Sequence, residues 1–146
     1  MKFKIIIDKT KEEEIIATVH APSALTEKIQ QLVQEFTGTD RVAAFLEDDI
    51  KMLPFAEIAC ITVQDGKTWA VDQTGKRYRL KQRLYELEAM LPPSFIRINK
   101  SSIANERLIE RFAANFSGAV DAVFRGGYRE YVSRRCFAEI KRRYRL

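Results

Sequence analysis

Residues 45–132 alternate between short runs of strand-forming residues and turns, and this pattern restricts the chain to a mostly β fold. Glu57–Val63 is a mostly apolar run that ends at the hairpin-type turn Gln64–Lys67, and Thr68–Asp72 follows that turn. Arg77–Leu80 alternates basic with apolar residues, as the strands of a half-buried sheet do. We therefore predict a meander of antiparallel strands in this part of the chain.

A single short helix is predicted between these strands. Leucines at positions 80, 84, 87 and 91 recur with helical spacing, and Pro92-Pro93 ends the pattern. After it, strands flank a polar loop at Lys100–Ser102, and a hairpin with a Gly126-Gly127 turn follows. The strands predicted here are Phe95–Asn99, Leu108–Phe112, Ala119–Arg125 and Tyr128–Val132. Cys136–Leu146 is predicted to be a short basic helix or a frayed tail.

The first 41 residues are predicted to form a separate strand-strand-helix appendage. Phe3–Ile7 and Glu14–His20 are the two strand-like runs, with a polar turn between them. After Pro22-Ser23 the apolar residues follow one helical stripe, made of Leu25, Ile29, Leu32, Val33 and Phe36, and Gly38 is a natural stop. Two units are therefore predicted, the appendage over residues 1–41 and a β-rich domain over residues 42–146.

The charge of the chain is divided unequally between its two ends. Residues 1–50 contain six Lys or Arg against ten Asp or Glu, a net charge of −4, whereas residues 51–146 contain 19 bases against ten acids, a net charge of +9. A concentration of basic charge of this kind suggests nucleic acid or an acidic membrane surface as the partner of the β-rich part. A merely basic surface is the alternative that charge alone leaves open.

The sequence offers little material for catalysis or metal binding. His20 is the only histidine, and no nucleophile or carboxylate is spaced around it in a recognisable way. Gly126-Gly127 is not followed by the Lys-Ser/Thr pair of a phosphate-binding loop, and Glu12–Glu14 and Asp48-Asp49 are typical of solvated turns. We therefore expect a protein that is not an enzyme and that uses no cofactor and no metal.

The sequence also indicates where the protein works. The longest apolar stretches fall far short of the ~20 residues of a membrane-spanning helix, and the N-terminus has no signal-peptide pattern. The two cysteines, Cys60 and Cys136, lie in apolar patterns and are expected to be buried, reduced thiols. A cytoplasmic location is therefore predicted.

Polar and basic residues are concentrated in three loops of the β-rich part, each at the end of a predicted strand. These loops are Asp65–Thr68, Asn99–Ser102 and Ser133–Arg135. Arg and Lys can donate to guanine O6 and N7, Asn can pair with adenine, and hydroxyl groups bind phosphates. The loops could therefore read bases in DNA, although each alone could also be an ordinary solvated turn.

The segment Phe95–Asn105 resembles the signature of the LytTR DNA-binding domain, a Phe-x-Arg-x-His/Asn-x-Ser-x-x-Val/Ala-Asn stretch between two strands. The flanking sequence agrees with the resemblance. Glu57–Ile61 is similar to the family's first hairpin, Leu84–Leu91 to its short helix, and Tyr131–Phe137 to its closing Val-Ser-Arg motif. The similarity covers about residues 47–146.

The resemblance implies a fold and a set of DNA contacts. The fold is an elongated stack of small antiparallel sheets with one short helix, which here follows the strand-strand-helix segment. Family members grip DNA with loops across successive major grooves and bend it. The matched base-reading positions are Lys67, Lys100 and Arg135, and the phosphate or orientation contacts beside them are Asn99, Ser101, Ser133 and Arg134. Asn105 is interpreted as structural, and Lys67 stands where the family often has His, so the base that is read can differ.

The function predicted from these observations is a sequence-specific transcriptional regulator that binds double-stranded DNA, as a homodimer, at repeated sites. Residues 1–41 cannot form the receiver domain of about 120 residues that many LytTR regulators have. The chain therefore resembles standalone LytTR regulators, for which a small membrane protein that controls the regulator is a further expected partner. The rival prediction is a protein-interaction module whose basic face meets an acidic membrane surface or protein.

Overall fold

A computed structural model describes residues 1–145 as ten strands, three helices and two short 3-10 turns. The first helix, α1 (Ala24–Thr37), precedes all of the strands. The other elements are β1 (Arg41–Leu46), β2 (Asp49–Pro54), β3 (Ile58–Gln64), β4 (Lys67–Asp72), β5 (Arg77–Leu80), α2 (Leu84–Met90), β6 (Phe95–Asn99), β7 (Ser102–Asn105), β8 (Ile109–Ala114), β9 (Val120–Phe124), β10 (Arg129–Val132) and α3 (Arg134–Tyr144). The 3-10 turns are Phe55–Glu57 and Glu106–Leu108.

All of the described strands pair antiparallel, in two sheets. The larger sheet has seven strands in the order β2-β1-β5-β4-β3-β7-β6, and the smaller has three in the order β10-β9-β8. Most neighbouring strands are also consecutive in the chain, as in a meander. The prediction of a mostly β stack of antiparallel sheets is confirmed.

Turn residues determine where the hairpins form. Asp65 and Gly66 between β3 and β4 both have positive φ, 53° and 73°. This is the backbone of the tight two-residue turn that matches the twist of the flanking strands, and Asp-Gly is a favoured sequence for it. Gly126, in the β9–β10 turn, approaches the β4–β5 turn closely. A Cβ there would lie 2.2 Å from the backbone oxygen of Gln73, so only glycine fits.

Two hydrophobic cores lie on the two faces of the larger sheet. Ile58 belongs to the first core and its neighbour Ala59 to the second, as expected for successive residues of a strand. The first core is closed by Leu87 of α2 and Phe55, and Phe55 packs edge-on against Phe95 with ring centroids 6.4 Å apart. The second core joins the larger sheet to the smaller sheet and to α3; it includes Ile98, Ala104, Phe124, Val132 and Ile140.

The structure corrects three details of the predicted β-rich domain. The predicted loop at Lys100–Ser102 is shorter than expected, because Ser102–Asn105 forms the strand β7 between β6 and β3. Helix α2 begins at Leu84, since Leu80 is the buried last residue of β5 and its spacing to Leu84 is coincidental. Of the two alternatives predicted for Cys136–Leu146, a short basic helix and a frayed tail, the helix forms; α3 begins two residues earlier than predicted and ends at Tyr144, and Leu146 lies outside the described residues.

The appendage is only partly as predicted. Helix α1 forms, with Ser23 at its N-cap and Gly38 in the left-handed conformation at its C-cap. The two predicted strands do not form, because residues 1–22 make no regular strand pairing and their apolar side chains are exposed. An isolated pair of strands has marginal stability unless another element covers its apolar face, and none of the described elements covers residues 1–22. Of the stripe on α1, Ile29 and Val33 are half-buried, while Leu32 and Phe36 are exposed.

No helix among residues 1–145 is long and apolar enough to cross a membrane.

Candidate nucleic-acid interface

The β3–β4 and β6–β7 turns lie beside each other at one end of the larger sheet. Strands β3 and β7 are neighbours, with Thr62 opposite Ser102, and the Val63 N–H donates to the Ser101 carbonyl oxygen at 2.9 Å. Beneath the turns, the buried hydroxyl groups of Thr62 and Ser102 are hydrogen-bonded at 2.8 Å. Lys67 and Lys100, one from each turn, are therefore carried on the same edge, and both are exposed.

Asn99 connects the β6–β7 turn to the smaller sheet. Its Oδ1 accepts from the Ser101 N–H at 2.8 Å, and its Nδ2 donates to the Tyr131 carbonyl oxygen at 2.7 Å. The residue is buried, so both polar groups of its amide are used inside the protein. Asn99 thus holds the turn on which Lys100 and Ser101 lie.

Ser133 places the third loop at the same end. Its N–H donates to the Ile98 carbonyl oxygen at 2.8 Å, which fixes the end of β10 against β6. Its Oγ accepts from the Cys136 N–H at 3.2 Å and so caps the N-terminus of α3. The next two residues, Arg134 and Arg135, occupy the first turn of α3 and are exposed.

The structure therefore brings all three predicted loops together. Among residues 1–145, Lys67, Lys100, Arg134 and Arg135 make no salt bridge, whereas Arg41, Arg97, Arg107, Arg129 and Arg143 do. A cation that already has an acidic partner must lose it before binding a phosphate. The four cations of this end are thus available for an anionic ligand.

An open groove of about 410 Å³ lies beside the β6–β7 turn, between the end of β3 and strand β10. Three of the predicted site residues line it, Asn99, Lys100 and Ser101. It is also lined by Gln64, Arg77, Glu130 and Tyr131, which the sequence reasoning missed as site residues. Arg77 donates to Gln64, which keeps this guanidinium on the groove wall. Tyr131 is 47% exposed. Its place beside the Ser133 motif was a usable signal, whereas the position of Arg77 depends on packing between distant strands.

Arg97 is a further residue whose part in the site was missed. Its guanidinium forms a salt bridge of 3.0 Å with Glu88 of α2 and donates to the Lys100 carbonyl oxygen at 3.0 Å. Arg97 therefore holds the β6–β7 turn through the Lys100 carbonyl oxygen, in addition to the hydrogen bonds of Asn99. This explains in physical terms why an arginine suits the third position of the signature. Asn105, interpreted as structural, does cap a turn, since its Oδ1 accepts from the Arg107 N–H at 3.2 Å.

Two titratable groups near the site, Cys60 and Tyr128, are kept neutral by burial. Burial raises the pKa of the Cys60 thiol well above its ordinary value, and burial and the neighbouring Glu130 raise the pKa of Tyr128. Both groups therefore stay protonated and neutral at pH 7. Cys60 is buried and Cys136 half-buried, and both are free thiols. Residues 1–145 contain no cluster of three or more potential metal ligands.

Comparison with known families decides the family of the chain. The sequence profile of the LytTr DNA-binding domain matches residues 48–145, more than half of the chain. The chain belongs to the LytTR DNA-binding domain family. The matched range contains the three loops described above. It also contains the Phe95–Asn105 signature, which comprises β6, the turn after it and β7.

Two relatives of this LytTR protein match it over nearly the whole length of both chains. A Staphylococcus aureus protein from strain MSSA476, named as an uncharacterized HTH-type transcriptional regulator, is 29% identical over 146 residues, 98% of this chain and 97% of that protein. A protein with the same description from strain NCTC 8325 / PS 47 is 28% identical over the same shares. Residues before the LytTR domain are thus matched in these relatives too.

A solved structure supports the fold. The LytTr DNA-binding domain of a putative methyl-accepting/DNA response regulator from Bacillus cereus superposes with a TM-score of 0.65 at 23% identity. The match covers 73% of this chain and 98% of that domain. The arrangement of antiparallel sheets is therefore that of a LytTr domain.

Proposed function

We propose that this LytTR protein is a transcriptional regulator that recognises a specific sequence in double-stranded DNA. The observation that supports the proposal most strongly is that one end of the molecule carries three turns and four cations that have no acidic partner among residues 1–145. Cations supply phosphate affinity, and those on rigid turns can also address base edges in a groove. The regulatory role is suggested by the Staphylococcus aureus relatives, which are named as transcriptional regulators.

Loops rather than a recognition helix would enter the DNA. Strands separate the three described helices from one another along residues 1–145, an order unlike that of a helix-turn-helix motif. Helix α3 packs into the second core through Ile140, so only its first turn faces the site. DNA contact through the β3–β4 turn, the β6–β7 turn and the start of α3 is the arrangement that suits this geometry.

The seven predicted site residues divide into two groups in this proposal. Lys67, Lys100 and Arg135 are exposed and reach base edges, and Arg134 and Ser101 beside them bind phosphates. Asn99 and Ser133 act through the loops they hold, because their side chains already bond within the protein. They are positioning residues, which was one of the two roles expected for them.

Selection of bound fragments from a pool of genomic duplexes tests the proposal. We expect a common sequence to emerge and to bind the full-length protein at least ~10³-fold more tightly than a scrambled duplex at the same salt concentration. A protein-interaction module with a merely basic face would bind both duplexes equally and lose both equally as salt rises. No enrichment after selection would contradict the proposal.

We further propose that residues 1–41 make the homodimer contact and that a second copy of this chain covers them. Six large apolar side chains of this segment, Phe3, Ile5, Ile6, Ile7, Ile15 and Ile16, are 70–89% exposed. At roughly 100 Å² each they supply about 600 Å² per partner, most of the ~800 Å² that a specific interface buries per partner. Lys2 and Lys4 beside one run and Glu12–Glu14 beside the other give the two copies complementary charges.

Sedimentation equilibrium of full-length variants tests this contact. Ile5→Asp with Ile16→Asp should convert the dimer to a monomer, because two buried charges would be unpaired at the interface. Ile50→Asp is the matched control, since Ile50 is also exposed, at 64%, but lies on the edge strand β2. A monomeric wild type, or loss of the dimer only in the control, would refute the role of residues 1–41. Capture of this segment by the expected small membrane protein, with a monomeric wild type, would assign the surface to that partner instead.

A further inference from the structure

We infer that Phe116, at the tip of the β8–β9 hairpin, makes an apolar contact with the DNA on the outer flank of the recognised sequence. Phe116 is fully exposed, and no other large apolar side chain of residues 1–145 is as exposed. Burying an exposed aromatic ring against an apolar surface of a partner favours binding. The inference rests on the proposed DNA-binding function.

The tip is a rigid platform for this side chain. The Oδ1 of Asn115 accepts from the N–H of Ser117 at 3.0 Å, from its hydroxyl at 2.6 Å and from the N–H of Ala119 at 3.1 Å. The Asn115 N–H in turn donates to the Ala119 carbonyl oxygen at 2.8 Å. The turn is closed on itself, so Phe116 projects from an ordered loop and loses little conformational freedom on binding.

The strand register puts Phe116 at the same end of the smaller sheet as the α3 loop. Val120 of β9 is paired with Val132 of β10 on one side and with Ala114 of β8 on the other. Ser133–Arg135 continues beyond Val132, and the Asn115–Gly118 tip continues beyond Ala114, in the same direction. The two ends are two strand spacings apart, roughly 10 Å.

Packing of α3 places the first turn of that helix beside β8. The rings of Phe112 on β8 and Phe137 on α3 have centroids 5.6 Å apart. Phe137 is one helical turn after Arg134, and Phe116 is four residues after Phe112. In the smaller sheet, β8 is the strand farthest from β10. The tip therefore lies on the side of Arg134 and Arg135 that faces away from β6 and Lys100.

The chemistry of the tip suits DNA as the partner at this place. Residues 112–120 contain no charged side chain, so the phosphate backbone does not repel the tip. Duplex DNA offers thymine methyl groups and the faces of its sugars and base steps to an apolar side chain. A displacement of roughly 10 Å is about three base pairs along a duplex. Phe116 should thus meet the DNA about three base pairs outside the pair addressed by Arg135.

Binding of full-length Phe116→Ala to the selected operator tests the inference. We expect its affinity to fall about tenfold, the loss of one well-buried aromatic contact, with an unchanged slope of log affinity against log salt because no charge is removed. Tyr85→Ala is the matched control; Tyr85 is 67% exposed on α2, beside the first core, and its loss should change nothing. Trimming the operator to end at the Arg135 pair should abolish the difference between Phe116→Ala and wild type.

The outcomes separate this inference from the proposed function. If wild type discriminates the operator and Phe116→Ala binds it equally well, Phe116 has no DNA contact while the function stands. If wild type does not discriminate, both are refuted. If Phe116→Ala dissociates the dimer in sedimentation, the ring belongs to a contact between copies and the inference is wrong. Replacing the flanking thymines by uracils identifies the atoms that Phe116 contacts. The affinity of wild type should fall if the ring contacts a thymine methyl group and stay the same if it contacts a sugar or a base step.

Discussion

The side-chain amide of Asn99 donates a 2.7 Å hydrogen bond to the backbone oxygen of Tyr131 and so joins the larger sheet to the smaller one. The same side chain accepts from the Ser101 N–H at 2.8 Å. Together with the Ser133 N–H bond to the Ile98 carbonyl oxygen, this buried residue sets the distance between the β6–β7 turn and the end of β10. The relative placement of two of the three candidate DNA loops depends in part on Asn99.

Replacing Asn99 by Leu should lower the free energy of unfolding by about 1–3 kcal/mol, because it leaves the buried Tyr131 oxygen and Ser101 N–H without partners. Urea denaturation measures this loss. The control, Lys100→Leu, changes an exposed neighbour and should alter stability by less than ~0.5 kcal/mol. Equal stability of the Asn99 variant and wild type would show that the two hydrogen bonds do not hold the sheets together.

Two substitutions of Ser133 separate its effect on helix capping from the effect of charge on DNA binding. Ser133→Ala removes the acceptor for the Cys136 N–H and should destabilise the protein by about 1 kcal/mol, whereas Ser133→Asp keeps a good N-cap and should stay near wild-type stability. DNA binding should follow the opposite order, because the aspartate puts a negative charge beside Arg134 and Arg135 at the phosphate backbone. Stability is measured in urea and affinity by fluorescence anisotropy. Weaker binding by the alanine variant than by the aspartate variant would contradict a DNA contact at this loop.

Lys67 and Lys100 should differ in what they read. Lys67 lies at a two-residue hairpin tip, while Lys100 lies on a turn held by Arg97 and Asn99, so Lys100 is better pre-organised to face a base edge. Lys67→Gln and Lys100→Gln should each lower the slope of log affinity against log salt by about one unit. Only Lys100→Gln should change the preferred bases in a panel of single-base operator variants. A change confined to Lys67→Gln would reverse the assignment.

The raised pKa of Tyr128 predicts that the protein loses stability at alkaline pH. Burial, the largest cause, and the 2.5 Å hydrogen bond to Glu130 raise its pKa in the folded protein above the ordinary value of 10.0. The unfolded chain therefore releases this proton first as pH rises, so the stability that depends on the neutral phenol is complete below pH 10 and decreases above it. Unfolding free energies of wild type and Tyr128→Phe, measured from pH 8 to 11, should converge or cross above pH 10. Parallel curves would indicate that the phenol is not protected.

Much of the β-rich domain could be predicted because its signals are local. Asp65-Gly66 supplies the positive φ values of a tight hairpin, and the alternation in Arg77–Leu80 follows from one buried face. The three polar loops stood out for the same reason, since each is a short motif at the end of a strand. Their meeting at one end also required the pairing of β3 with β7, which no single loop reveals.

The remaining errors come from interactions that local sequence does not record. Leu80 fits both a strand end and a helical leucine spacing, and its burial in the first core decides for the strand. Ser102–Asn105 is polar at both ends, yet it is fully buried as β7 because Ser102 bonds Thr62 and Asn105 bonds the next turn. Phe3–Ile7 has strong strand propensity but no described partner to pair with, so propensity alone was insufficient.

The affinity ratio between the selected operator and a scrambled duplex, measured at one salt concentration, tests most directly whether these loops read DNA sequence. The two proteins to compare are wild type and the full-length variant with Lys67→Gln, Lys100→Gln and Arg135→Ala. We predict a ratio of ~10³ or more for wild type and less than about tenfold for the variant, since each lost base contact removes about 1–3 kcal/mol of discrimination. A variant that keeps the wild-type ratio, with affinity for both duplexes lowered equally, would contradict the account.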